Sequence, residues 1–185
     1  TLQPILTNIL SGPILNEKVT FKQWIGVLLG FFGATLVLGL DLGSKIPLLG
    51  LVATIIALIS ITASTIWQKK LSNNLPLSVS NFYQAVGGCF FHILVVIFFA
   101  KPYIAFTKTF FLAMGHQILL VSFGAFTILM FLIKKNSASK TVSIFFLIPA
   151  TSALMAWFFL GETLTVIDLL GFLITSIGVY IATRD

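Results

Sequence analysis

Charge is what this chain has least of. Only 9% of its 185 residues are Asp, Glu, Lys or Arg, whereas a soluble domain carries roughly a quarter. Acids are the scarcer sign: five carboxylates stand against eleven cations, with two histidines and a single cysteine. A lone Cys89 excludes a disulfide framework within the chain and any multi-cysteine metal site, and reads as a small buried hydrophobe. No glycine-rich phosphate loop, HExxH helix or nucleophile elbow is present, so ATPase, zinc-hydrolase and serine-hydrolase chemistry have no motif to run on. No hydrophobic run holds a nucleophile with its base, or paired aspartates, as a membrane-embedded hydrolase requires. The expectation is a non-enzyme with no catalytic residue, no metal and no cofactor. The N-terminal "TLQPILTNIL" also lacks the basic region that opens a cleaved signal.

What fills the chain instead is apolar sequence. Hydrophobic residues make up 58% and the mean hydropathy is +1.08. Lys45 and Lys69 bracket 23 uncharged residues, Lys70 and Lys101 bracket 30, Lys108 and Lys134 bracket 25, and Lys140 and Glu162 bracket 21. A helix crosses the hydrocarbon core in about 20 residues at about 1.5 Å each. Runs such as "LLGLVATIIALISITASTIW" are apolar on every side, whereas a membrane β-barrel would need short segments of strict alternation. The expected fold is therefore all-α, a polytopic membrane helix bundle. About seven transmembrane helices are expected, over residues 2–16, 24–40, 47–68, 79–100, 111–133, 142–160 and 165–183.

The connections "NEKVTFK", "DLGSKIP", "KKLSNNLPLS", "KPYIAFTKT", "KKNSASK" and "GETLT" are short and rich in turn formers. Alternate loops sort their charge. Lys18, Lys22, Lys69, Lys70, Lys134, Lys135, Lys140 and Arg184 fall on one side, and Lys45, Lys101 and Lys108 on the other. Short loops rich in Lys and Arg stay cytoplasmic, which puts the C-terminus inside and Thr1 outside. The net charge of +6 is then topological, and nothing points to nucleic acid. The expected location is a bacterial inner (cytoplasmic) membrane.

One sentence of sequence is written twice. At an offset of 145, Leu2, Pro4, Leu15, Glu17, Thr20, Gly26, Leu28 and Gly33 match Leu147, Pro149, Leu160, Glu162, Thr165, Gly171, Leu173 and Gly178. Five spans separate a position from its echo. An odd number inverts direction, so Glu17 ends its helix inside and Glu162 ends its helix outside. Inverted-topology repeats are the architecture of many secondary transporters, with the substrate site between the halves. This P-x₁₂-E-x₂-T-x₅-G-x₆-G pattern, at 4–33 and again at 149–178, resembles the EamA-type drug/metabolite transporter superfamily. The resemblance implies an inverted-repeat transporter fold of ten helices. Residues 1–40 then correspond to the last two helices of a first repeat, and residues 41–185 to a complete second repeat of five. About 105 residues and three helices of that pattern are not in this sequence.

Several residues are candidates for work. Glu17 and Glu162 are either intramembrane carboxylates that bind protons or substrate, or interfacial residues that fix a loop, each followed three residues later by a potential capping Thr. Gly26, Gly30 and Gly33 share one helix stripe, as do Gly171, Thr175 and Gly178; small residues there permit close helix packing within the chain or across a dimer seam. Pro4 and Pro149 would free a carbonyl near midspan, giving a hinge or a static kink. A substrate site near the bilayer centre would draw on Asn8 and Ser152, each expected near midspan, and on Tyr83, Gln84 and His92, with Gln84 and His92 on a shared face. Trp67 and Trp157 could stack on a planar ligand or belong to interfacial belts. Asn8 either lines a wet cavity or bonds a neighbouring helix.

The resemblance implies a secondary permease that moves small metabolites, amino acids or related compounds, by alternating access. The alternative is a truncated or structural membrane protein without transport of its own. Expected partners are the lipid bilayer and a small-molecule substrate, with a homodimer mate or a further chain supplying the three helices.

Overall fold

A computed structural model describes residues 2–39, 47–72, 75–99 and 103–184. Among these residues every regular element is helical: α1 (Gln3–Leu15), α2 (Phe21–Leu38), α3 (Leu48–Ser72), α4 (Leu77–Phe99), α5 (Lys108–His116), α6 (Phe126–Lys135), α7 (Ala138–Ser143), α8 (Leu147–Leu160) and α9 (Val166–Thr183). α5 runs into α6 through π-helical turns at Gln117–Ala125, and α7 runs into α8 through a 3₁₀ turn at Ile144–Phe146. Six continuous helices are long and apolar enough to cross a membrane: Phe21–Leu38, Leu48–Leu71, Leu77–Phe99, Lys108–Lys135, Ala138–Leu160 and Val166–Thr183. These are the last six expected spans, with ends shifted by a few residues. The first expected span holds α1, whose 13 described residues make about 20 Å of helix. The predicted loop bearing Lys45, the Asn73–Asn74 pair and Lys101 lie outside the described residues.

The chain divides into two compact units, one taking residues up to Lys70 and from Asn136 onward, the other Leu71–Lys135. In the first unit, α2 and α9 lie against each other along their small-residue stripes. A methyl added at Gly26 would meet the Gly178 carbonyl oxygen at 2.6 Å, and one at Gly178 would meet the Gly26 oxygen at 2.8 Å. A methyl at Gly33 would meet the Gly171 oxygen at 2.7 Å, and one at Gly171 the Gly33 oxygen at 2.8 Å. Residue numbers therefore rise along one helix as they fall along the other, so the two helices are antiparallel. Shifted by the repeat offset, the pair Gly26–Gly178 becomes Gly171–Gly33. Each contact is the image of the other, as a two-fold axis between the helices requires.

The offset also aligns elements, not only letters. Shifting α2 by 145 lands on α9 end to end. Both helices open with a capping box: Thr20 and Gln23 exchange bonds of 2.8 and 3.3 Å, Thr165 and Asp168 bonds of 2.8 and 3.2 Å. Both are preceded by a left-handed residue that ends the previous helix, Asn16 at φ 56° and Gly161 at φ 69°.

Around the seam, Val27, Ala34, Phe146, Val179 and Ala182 form the apolar core, with Ile5, Phe31 and Leu147 packed on it. The fully buried Phe146 ring fits because Gly30 has no side chain. Elsewhere the usual partition is reversed. Gln3, Thr7, Asn8, Ser11, Thr62, Gln68, Ser139 and Thr141 are buried, while Phe21, Leu49, Phe99 and Leu160 are largely exposed. A bilayer solvates that exterior, and buried small polar side chains serve as the helix contacts. Cys89, expected inside, is exposed on α4. The chain is thus an all-α, multi-pass membrane bundle.

The described cations of the first unit gather at one end. Glu17, next to Lys18, bonds to the start of α7, which carries Lys140. Lys69 donates to the Asn136 carbonyl at 2.6 Å. Arg184 ends α9, and the last turn of α9 at Ala182 meets Gly26 near the start of α2.

The seam makes a definite demand on side-chain size. Gly178→Val should cost at least about 1–3 kcal/mol, since the methyls would have to displace backbone. Gly87→Ala on α4, where an added methyl meets nothing within 4 Å, should change stability by no more than about 1 kcal/mol. Thermal unfolding of the two purified variants in detergent checks this; equal tolerance of both would mean that α2 and α9 do not touch.

Candidate functional site

The turn after α1 is built around a carboxylate. Asn16 reverses the chain, and the Glu17 amide bonds back to the Ser11 carbonyl at 3.3 Å. This aims the Glu17 side chain at the start of α7, where Oε1 accepts from the Ala138 amide at 2.9 Å. Ser137 caps the same helix, its hydroxyl accepting from the Lys140 amide at 3.3 Å. The first amides of a helix have no partner within it and carry its positive end, so a carboxylate is well placed there. Glu17 is half-buried and acts as the cap that holds the α1–α2 turn to α7. Its second oxygen, Oε2, is buried without a partner. Glu162 occupies the equivalent turn, with its amide reaching back to the Ala156 carbonyl at 3.5 Å. Its side chain is exposed and has no hydrogen-bond partner among the described residues.

Along α1 runs a buried polar edge. Gln3 donates from Nε2 to Thr65 Oγ1 of α3 at 3.1 Å. Asn8, only 2% exposed, accepts at Oδ1 from the Ser139 hydroxyl of α7. Ser11 donates to the Asn8 carbonyl at 3.3 Å, and Ser143 donates to the Ser139 carbonyl at 2.8 Å. Two polar atoms in this edge are buried with no partner, Asn8 Nδ2 and Thr7 Oγ1. Unsatisfied polar groups in a low-dielectric interior are costly. The edge therefore keeps donor capacity in reserve beside a bond it has already made.

The remaining predicted residues are dispersed. Pro4 lies in the first turn of α1 as the described residues give it. Pro149 leaves the Phe145 carbonyl without its regular helical partner, next to the 3₁₀ turn at Ile144–Phe146. Ser152 lines an open groove on α8 with Thr151, Met155, Ala156, Phe159 and Leu160, whereas Asn8 is enclosed, so these two share no surface. Trp67 on α3 and Trp157 on α8 are exposed at 64% and 51%.

In the second unit Gln84 is half-buried, with Nε2 donating to Ser80 Oγ at 3.5 Å and approaching Met130 Sδ of α6 at 3.8 Å. Tyr83 is exposed and packs edge-on against Phe82. His92 is exposed, with Nδ1 2.7 Å from its own helix's Gly88 carbonyl. Gln84 thus reaches α6, while His92 turns back on its own helix.

Sequence reasoning passed over Gln3, Thr7, Ser139 and Asn81. Gln3, Thr7 and Ser11 stand four apart, a polar stripe at helical period that could have identified the buried edge. Asn81, whose buried Oδ1 has no partner, lay inside a stretch valued only for its neighbours.

Removing the cap isolates its contribution. Glu17→Ala should cost about 1–2 kcal/mol, read as a lower unfolding temperature in detergent. Glu17→Gln retains an oxygen for the Ala138 amide and should lose less. Equal stability of all three proteins would show that the Glu17–Ala138 bond contributes nothing.

The chain is 27% identical over 188 residues to the Uncharacterized transporter YvbV of Bacillus subtilis, a match that covers 95% of this chain and 58% of that protein. It is 29% identical over 149 residues to the Uncharacterized transporter in sor 3'region of Acidianus ambivalens, covering 80% and 57%. A third relative, the Uncharacterized transporter in trpA 3'region of Buchnera aphidicola, is 27% identical over 191 residues, covering all of this chain and 62% of its own length. The chain thus spans about three-fifths of the curated relatives it matches. No solved structure matches. The model of the EamA-like transporter family matches residues 1–39 and 48–184, and the chain belongs to that family.

Proposed function

We propose that this chain is part of a secondary carrier of small polar or amphiphilic metabolites, amino acids and related compounds among them, working by alternating access between two inverted halves. The observation that carries the reading is the α2–α9 seam. Two helices related by the repeat offset meet antiparallel, and each contact is the image of the other. A two-fold of that kind lets one set of contacts be exchanged for its mirror set on the opposite side of the membrane, which is what alternating access needs. In this reading residues 1–40 close a first repeat, residues 41–185 form the second, and the protein is not an enzyme. The work is driven by an ion or substrate gradient, since the chain carries no nucleotide-binding motif.

Orientation follows from charge. The cations at the Glu17–Ala138 end of the first unit support an orientation with that end and the C-terminus in the cytoplasm, in a bacterial inner membrane. Family membership and relatives named as transporters support the carrier over a purely structural protein.

Counterflow is the direct test. The polypeptide encoded by its own genome, reconstituted in liposomes preloaded with mixed unlabelled amino acids, should accumulate the labelled counterparts well above empty liposomes. No exchange of any amino acid or related compound would sink the substrate class, and no exchange of any small metabolite the carrier itself. Orientation is checked separately: Asn136→Cys, in a Cys89→Ala background, should resist an impermeant maleimide on sealed cells and react once they are permeabilised. Rapid labelling from outside would reverse the topology.

A further inference from the structure

The cation-bearing end of the first unit has little negative charge of its own. Among the described residues the acid at this end is Glu17, and its side chain is turned inward to the Ala138 amide. Lys18 in the turn before α2, Lys22 in the first turn of α2 and Arg184 at the end of α9 are exposed. Asp185 lies outside the described residues. The antiparallel seam brings Lys22 and Arg184 to one level. Gly26 meets Ala182; Lys22 stands one turn before Gly26, and Arg184 two residues after Ala182.

Arg184 is already oriented. Its guanidinium donates to the Tyr180 hydroxyl, one turn earlier in α9, and its Cζ lies 5.3 Å from the centre of that ring. The other N–H groups of the planar fork suit the oxygens of a phosphate.

Next to these cations the surface is apolar. Ile25, Leu28 and Phe32 on α2, and Leu173, Ile177 and Tyr180 on α9, are exposed, at steps of three or four that keep each set on one helix face. At the repeat offset Leu28 and Phe32 correspond to Leu173 and Ile177. The two-fold between antiparallel neighbours runs normal to their common plane, so it leaves such images on the same side of the pair. The cations break that symmetry, because Lys22 corresponds to Ile167 and Arg184 to Gly39. This face therefore has its two cations at one end only.

We propose that this face of the α2–α9 pair binds an anionic phospholipid, with the phosphate at Lys22 and Arg184, the acyl chains along the two apolar stripes, and Lys18 adding charge. Charge chooses the occupant. A second copy standing the same way up in the membrane would set its own Lys22 and Arg184 against these, whereas a phosphodiester is negative at the depth where they stand. A zwitterionic lipid matches the stripes but brings no net charge to the cations. Lipid binding here is independent of what the protein transports.

The test titrates phosphatidylglycerol into the polypeptide that its own genome encodes, delipidated in detergent, and counts retained lipid by native mass spectrometry. Phosphatidylglycerol should be held more tightly than phosphatidylcholine. Lys22→Gln combined with Arg184→Gln should weaken it roughly 25-fold, about five-fold for each cation, and leave phosphatidylcholine unchanged. Arg184→Lys, which keeps the charge but not the fork, should lose only part. Lys108→Gln, in the other unit, should change nothing. Equal affinity for the two lipids overturns the proposal, as does undiminished phosphatidylglycerol binding in the double variant. A loss as large in Lys108→Gln would reduce the effect to general charge attraction. Release of the lipid by glycerol phosphate would assign the cations to a soluble phosphate, and a lipid-free dimer broken by Phe32→Ala would assign the face to a second copy. Each of these three results also overturns it.

Discussion

The close approach of α2 and α9 is the constraint on which the first unit depends. Lipid tails are as apolar as leucine, so helices in a bilayer gain little from hiding apolar side chains against one another. They associate where backbones come near enough for dense packing. Gly26, Gly33, Gly171 and Gly178 allow that approach, and each added methyl would overlap backbone of the facing helix. Gly30 makes room for the Phe146 ring, which ties the 3₁₀ turn before α8 to the same seam. Because α2 and α9 each begin in a threonine capping box, fixing the seam also fixes both preceding turns, and with them Glu17 and Glu162.

Polarity is distributed to match. The exterior is phenylalanine, leucine and isoleucine, and much of the interior is hydroxyl and amide. Most of the buried threonines and serines return their hydroxyl to a carbonyl one turn earlier in their own helix, as Thr62, Thr175 and Ser143 do. Asn8 and Gln3 cannot satisfy a whole amide that way, so they reach across to Ser139 and Thr65. These cross-helix bonds join α1 to α7 and to α3. Among the described residues, a donor on Asn8 and the oxygen of Thr7 are left over in this edge.

Legibility varied with the range of the physics involved. The six long helices could be read from charge-poor apolar runs, because a membrane span is a local property of length and hydropathy. The thread of Gly, Thr, Glu and Pro at an offset of 145 could be read as a repeat, and the backbone repeats with it. The π-helical turns at Gln117–Ala125 had no signature in a run that is apolar throughout. The exposure of Cys89, the contact of Gln84 with Met130 and the burial of Thr7 depend on which face of a helix meets a neighbour. A helix that is apolar all round does not announce that face.

By itself, the sequence determined that this is a multi-pass helical membrane protein, written as an inverted repeat with cations gathered on alternate loops. Each of these is set by composition or by residues a few positions apart. The tertiary structure alone decided that the two glycine stripes face each other within one chain. It also decided that Asn8 is committed to Ser139, and that, among the described residues, Glu17 meets a helix start while Glu162 has no hydrogen-bond partner. The partner of Glu17 lies 121 residues away along the chain. A hydrogen bond of 2.9 Å depends on where the intervening helices fold back, which no local pattern in the sequence records.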